Sequence, residues 1–360
     1  LEQERGRKRR DDAISTSIAS AVDLERERLE AAGEIGSGDE FKLQAQIIEK
    51  GSRTGYGFQL GLSEGVHLDD GLFLVEYSED SDGNEKVDNV GFLRVTKSAD
   101  NKNDPVALSR AKQLFGDAGD VGSVVMEHPR LGMDTRVRFG LRNGMNIKTE
   151  YTDIFYGLLG PSLSSYLGDF SLIKEDATSA AMMDVDFSYN LAPIVGISQM
   201  FLDFGFSVGV PIAEPTDFAI ESEIFSLVWD VGFGLSKKIW FGRMNIPVGL
   251  TYNFQGLAMA GAKIQMSAVG QGIGIATGFE YMINENTVFH IGAELNSPMP
   301  ISKIMITEEG EEPVTLEGDV IGEQYEDLSI GGLGLRIGID YSLKSLGFDL
   351  FGFLDPLKKY

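Results

Sequence analysis

The feature that most constrains this chain is a set of eight segments between residues 133 and 343 in which apolar and polar residues alternate. In the first, Val137, Phe139 and Leu141 lie on one face and Arg136, Arg138, Gly140 and Arg142 on the other. Successive side chains of a strand point to opposite faces, so a period of two describes a strand between two unlike environments. The second segment sets Met183, Val185, Phe187 and Tyr189 against Asp184, Asp186 and Ser188. The third sets Leu202, Phe204 and Phe206 against Asp203, Gly205 and Ser207. The fourth sets Trp229, Val231 and Phe233 against Asp230, Gly232 and Gly234, and the fifth sets Ile246, Val248 and Leu250 against Asn245, Pro247 and Gly249. The sixth carries Gly272, Gly274, Gly278 and Glu280 on its polar face, and the seventh His290, Gly292, Glu294 and Asn296. The eighth sets Leu333, Leu335, Ile337, Ile339 and Tyr341 against Gly334, Arg336, Gly338 and Asp340.

Alternating segments of about 10 residues are the signature of strands that cross a membrane as a closed barrel. A soluble sandwich alternates as well, but three features separate the two. The polar face is small and Gly-rich, as the crowded interior of a narrow barrel requires. Connection lengths alternate: 191–198, 237–243 and 283–286 are short links, whereas 148–179 and 297–327 are very long. Short periplasmic turns and longer external loops give that asymmetry. Tyr189, Tyr281 and Tyr341 lie on apolar faces at the short-turn end, with Trp240 in a short link at the same level. They predict an aromatic girdle at the periplasmic interface. The fold class expected is all-β: an eight-stranded antiparallel transmembrane barrel in a bacterial outer membrane. An even strand number puts both ends of the barrel on the periplasmic side.

Composition agrees. Mean hydropathy is close to neutral, because lipid-facing and lumen-facing residues cancel. No apolar run approaches the roughly 18 residues that a spanning helix needs. The chain has no Cys, so disulfides, thiolate metal sites and a Cys-linked lipid anchor are excluded. A net charge of −24 argues against nucleic acid as a partner. The chain opens at Leu1 without a visible signal peptide, which reads as a processed chain or a fragment.

Residues 1–40 form an N-terminal arm, with the basic cluster Arg5, Arg7, Lys8, Arg9 and Arg10 followed by a helix-like stretch from Asp11 to Ala32. The cluster is either a solvated tail or a contact with anionic envelope polymer or a partner protein. Residues 41–132 read as a small β-rich module in the periplasm. Its strands are expected around 41–47, 58–62, 72–77, 87–96 and 121–126, with a short helix over 107–115. Residues 344–360 form a tail that packs under the barrel or contacts a partner.

The module runs GLSEGVHLDDGLFLVEY, then VGFLRVTKS, then SRAKQLFGDAGDVGSVVMEHP. In this layout, with Gly119-Asp120 leading into the last strand, it resembles a small β-barrel module of bacterial envelope proteins. The C-terminal domain of the flagellar H-ring protein FlgT is an example. The resemblance covers about 90 residues and implies a place in an envelope assembly. The main zone resembles the eight-stranded barrels of the OmpA type, which implies an interior closed by a salt-bridge network.

The candidate site is the inward charge set. It comprises Arg136, Arg138, Arg142 and Arg336 facing Asp184, Asp186, Asp203, Asp230, Glu280, Glu294 and Asp340. Charges in a low-dielectric interior are costly unless paired. The set is therefore either a structural plug or the lining of a gated ion path. Arg138 is expected to bridge carboxylates from one or both neighbouring strands. His290 points the same way, whereas His67 reads as a surface residue near Asp69 and Asp70. Neither a His-x-x-x-His pair nor an Asp-rich calcium loop is present, so no metal or cofactor is expected. The loop serines Ser162, Ser164 and Ser165 have no His beside them, so no enzyme is expected. Tyr151, Phe155, Tyr156 and Tyr166, with Phe170, mark the first long loop as a surface for external recognition or as a rim belt. The role expected is structural: a barrel that holds a periplasmic module in the outer membrane, with lipid and envelope proteins as partners. The alternatives are a small-solute pore or ligand-binding barrel, and an adhesin that works through the long loops.

Overall fold

A computed structural model describes residues 42–52, 55–79, 85–128, 130–145, 178–212, 225–260, 264–308, 312–317, 329–344 and 352–360. The N-terminal arm with its basic cluster, and the loop aromatics Tyr151, Phe155, Tyr156 and Tyr166, lie outside the described residues.

Two barrels follow one another along the chain. The first uses β1 (Gln44–Gly51), β2 (Gly55–Phe58), β3 (Gly71–Glu79), β4 (Glu85–Lys97), β5 (Ser109–Gly116) and β6 (Val124–His128). They close in the order β1-β2-β5-β4-β3-β6. The interior is apolar: Ile47, Phe58, Leu72, Leu74, Leu93, Val95, Ala111 and Val125 pack together. Closure leaves no open sheet edge, which lets a unit this small stand in water.

The expected helix over 107–115 is instead strand β5. Ala107, Ala111, Leu114 and Phe115 have helical spacing. However, the β4–β5 pairing is irregular between Phe92 and Leu93 and between Val95 and Lys97. Each irregularity breaks the regular pairing and blurs the period of two. Pairing with β2 on one side and β4 on the other overrides local propensity.

The second barrel is up-and-down. Its strands are β7 (Arg130–Met145), β8 (Thr178–Asn190), β9 (Met200–Pro211), β10 (Phe225–Phe241), β11 (Met244–Ala260), β12 (Ile264–Met282) and β13 (Thr287–Glu308). A short β14 (Val314–Glu317) folds back on the outer part of β13, and β15 (Ser329–Lys344) pairs with β13 and β7 to complete the ring. All eight ring strands are antiparallel to their neighbours.

Polarity is inverted relative to the first barrel. On β15 the outward Leu335 and Ile337 are about half exposed, at 53 % and 49 %, while Arg336 between them is 3 % exposed. The same outward apolar face continues through Phe139, Phe187, Phe204, Phe233, Leu250, Ile275 and Ile291. Inward glycines make room for long polar side chains. A methyl group on Gly205 would strike the Asp186 carboxylate, and one on Gly140 would strike the backbone of β15.

The strands β10 and β11 extend beyond the expected link at 237–243. They are joined by only Gly242 and Arg243, with Gly242 at φ +63°. The Lys237-Lys238 pair reads as a loop in sequence, but Ile239 and Phe241 carry the outward alternation onward. At the other end β13 runs for 22 residues. That is about twice the length needed to cross an apolar band of roughly 25 Å at a tilt near 45°.

Candidate functional site: the charged lumen and the module joint

Every member of the inward charge set lies on the lumen side of its strand, in two layers. Nearer the short turns, Arg136 Nε donates to Asp340 Oδ1 at 2.8 Å, and its Nη2 lies 3.6 Å from Glu280. Lys238 Nζ sits 3.1 Å from Glu280 Oε2 and 3.6 Å from Asp340 Oδ2. His290 Nδ1 is 3.3 Å from Glu280 Oε1. Strand pairing creates this cluster: Asp340 stands opposite Arg136, and His290 opposite Glu280.

The second layer holds three arginines. Arg138 Nη2 donates to Asp186 at 2.5 Å, and its Nε lies 3.7 Å from Asp184. Arg336 forms a short ion pair with Asp184 and lies 3.5 Å from Glu294. Arg142 Nη1 is 3.1 Å from Asp230, which also accepts from Gln255 Nε2. Asn253 Nδ2 donates to Glu294 at 3.1 Å and to Asn296 at 2.6 Å. Asp203 accepts from Ser188 Oγ at 2.5 Å. A cavity of about 80 Å³ remains between the layers, lined by Arg136, Arg138, Asp186, Asp203, His290 and Arg336. Charged groups reach into it beside apolar ones, and a space of this size holds only a few waters.

Of the two strands beside it, Arg138 bridges carboxylates on one: both of its partners lie on β8, and β15 is met by Arg136 instead. Lys238 was hidden in the expected link. The signal that places it is the outward alternation of Lys237, Ile239 and Phe241 on either side of it.

Glu280, His290 and Asp340 place three potential ligand atoms within 4.8 Å of one another. Arg136 and Lys238 already lie against both carboxylates. These two cations neutralise the charge that would draw a metal ion, so the cluster is better described as a salt-bridge knot.

The short-turn mouth is closed by the first barrel. Phe73, Val75, Phe92, Leu114 and Met126 of the module form one apolar cluster with Met282 and Val288 of the second barrel, and Trp240 packs against it. Trp240 therefore does not belong to the expected girdle. It lies at the inner mouth, under Arg94 at 5.1 Å, and its indole N–H donates to Gln199 Oε1 at 2.5 Å. Tyr281 and Tyr341 do face outward at this level. Arg243 stacks on Phe115 at 4.5 Å, and His128 Nε2 meets Asn286 Oδ1 at 2.9 Å.

Asp69 is the polar centre of the joint. Its buried carboxylate accepts from Ser198 Oγ at 2.6 Å and from the Gln199 backbone N–H. Asp69 and Gln199 are the two non-glycine residues with positive φ among the described residues, at +74° and +59°. Such conformations persist where surrounding contacts over-determine them. Next to it Asp70 accepts from the His67 N–H at 2.6 Å, and partial burial pushes its carboxyl up to about 7. His67, expected at the surface, is half-buried. The described end of the tail completes the seam. The Lys359 and Tyr360 N–H groups donate to Pro193 O, while the Leu68 N–H donates to Tyr360 O.

No family model matches this chain, and no curated protein matches it in sequence. Among solved structures, Neisserial surface protein A is 7 % identical at a TM-score of 0.34, over 59 % of this chain and 97 % of its own. A major outer membrane protein of Thermus thermophilus is 9 % identical at 0.34, over 59 % and 99 %. The attachment invasion locus protein Ail of Yersinia pestis is 10 % identical at 0.31, over 58 % and 98 %. These likenesses are loose, and the barrel is defined by its own strand pairing and polarity.

Proposed function

We propose that the second barrel lies in a bacterial outer membrane and anchors the six-stranded module rigidly at its periplasmic face, where the module binds envelope proteins. The observation that carries this reading is the joint. An apolar cluster crosses from module to barrel, and a buried carboxylate locks the two together. Chain continuity adds to it, because β6 ends at His128 and β7 begins at Arg130. A module on a tether would need neither feature. The resemblance of 41–132 to the FlgT C-terminal domain belongs to the same proposal. The outward apolar face supports the membrane placement, since alternation of this kind suits hydrocarbon outside and polar groups within.

The alternative is a small-solute pore. A lumen filled by paired side chains and capped by the module argues against steady conduction, because eight strands enclose only enough width for side chains. The purified full chain in a planar bilayer should give no large, steady conductance, and a stable open channel would replace the anchor reading. In intact cells, added protease should spare 41–130, and chemical cross-linking should join the module to envelope proteins. Cleavage of the module in unbroken cells would reverse the orientation.

A further inference from the structure

We infer that the first short turn and the described tail together form a foot that rests on a phospholipid surface beside the barrel. The inference depends on the membrane reading above and goes beyond it. The turn 191–198 carries a one-turn helix, Ala192–Val195, capped by Gly196 at φ +72°. The tail adds a 3-10 turn, Gly352–Leu357, followed by Lys358, Lys359 and Tyr360. The Tyr360 ring lies over Gly196, where even a methyl group would come within 3.1 Å of it. Backbone bonds to Pro193 and Leu68 fix this seat.

The side chains of the foot are apolar where a water-exposed surface would be polar. Val195 is 40 % exposed, Ile197 46 %, Leu357 50 % and Tyr360 51 %. None of them joins the clusters of the module or the joint. Along the chain the patch leads into the outward apolar wall. From Ile197 the chain runs directly into β9, whose Leu202 faces outward, and β10 beside it presents Ile239 and Phe241 at the same end.

Cations accompany the apolar groups. Lys359 is exposed, and Lys237 is exposed while its Nζ holds Ser198 O at 2.6 Å. In a chain of net charge −24, Lys358 and Lys359 stand beside the exposed tyrosine and leucine, against Asp355 as the one acidic residue of 352–360. Tyrosine with an apolar body and polar tip, together with lysine on a flexible stem, suits the layer of phosphate headgroups over acyl chains. The partner assigned is therefore a glycerophospholipid surface.

The chain lacks Cys, so single spin labels can be placed without background. Leu357→Cys and Val195→Cys report on the foot, Ile239→Cys on the outer wall, and Val106→Cys on an exposed turn of the module. The full chain is reconstituted in vesicles of phosphatidylethanolamine and phosphatidylglycerol. Each label is then exposed in turn to oxygen and to a water-soluble nickel chelate. Both foot labels should collide several-fold more with oxygen relative to nickel than the Val106→Cys label does, at a depth shallower than Ile239→Cys. If the foot labels match Val106→Cys while Ile239→Cys stays in lipid, the foot is in water and the inference falls alone. Foot labels shielded from both reagents would mean a protein cover and would also overturn it. An Ile239→Cys label open to nickel would bring down the membrane reading and the foot with it.

Discussion

The two barrels of this chain solve the same closure problem with opposite polarity. In the six-stranded unit the fully buried side chains are Phe58, Leu72 and Leu93; in the eight-stranded unit they include Arg142, Asp184 and Glu280. Burial therefore has different meanings in the two. In the first it removes apolar surface from water, which stabilises the fold by about 25 cal/mol per Å². In the second it gathers charges that tolerate the interior only because each meets an opposite charge or a hydrogen bond. Alternation shows that a strand has two faces. The chemistry of those faces, glycine and charge against long aliphatics, shows which one looks inward.

The sharpest way to break the comparison is to make the same truncation in both units. Leu93→Ala in the module should cost about 2–5 kcal/mol, since it leaves a cavity in an apolar core. Leu335→Ala on the outer wall should cost under about 1 kcal/mol, because acyl chains fill much of the gap. Urea unfolding of both variants in vesicles measures this, and equal losses would mean that the outer wall is not lipid-facing. A smaller effect is expected from the lumen. Arg138→Ala leaves Asp186 without its closest cation and should cost about 1–3 kcal/mol, softened by the neighbouring arginines. Val137→Ala, one residue away and outward, should cost less, and the reverse order would exchange inside and outside. The smallest effect concerns pH. Asp70 has its carboxyl raised to about 7 in the folded chain. The native state therefore keeps a proton that the unfolded chain gives up, and the contribution of Asp70 to stability falls as pH rises from about 4 to about 7. With its partial exposure discounted, the loss should be on the order of 1–2 kcal/mol. Asp70→Asn should remove that slope, and identical pH profiles for parent and variant would refute the assignment.

The lumen was largely legible in the sequence because each inward charge sits one residue from outward aliphatics. Arg336 between Leu335 and Ile337 is an example. Lys238 was not, since two adjacent lysines resemble a loop and only the following Ile239 and Phe241 restore the pattern. Strand β5 has the spacing of a helix in sequence because irregular pairing blurs its period of two. The joint was out of reach for a different reason. Asp69 and Gln199 are 130 positions apart, each bends in a way its residue type rarely does, and no local pattern marks either one. Trp240 had the composition of a membrane girdle and lies on the other side of the wall.

The direct passage from β6 to β7 has a mechanical consequence. A pull on the module crosses a single residue before it reaches a strand of the larger barrel. There β7, paired on one side with β15 and on the other with β8, takes the component of the force along its axis. Force in that direction loads the ladder hydrogen bonds in shear, so that many must yield together instead of opening one after another. The wall of the larger barrel thus acts as a clamp, and an assembly hauling on the module would deform the module before it drew the strand out.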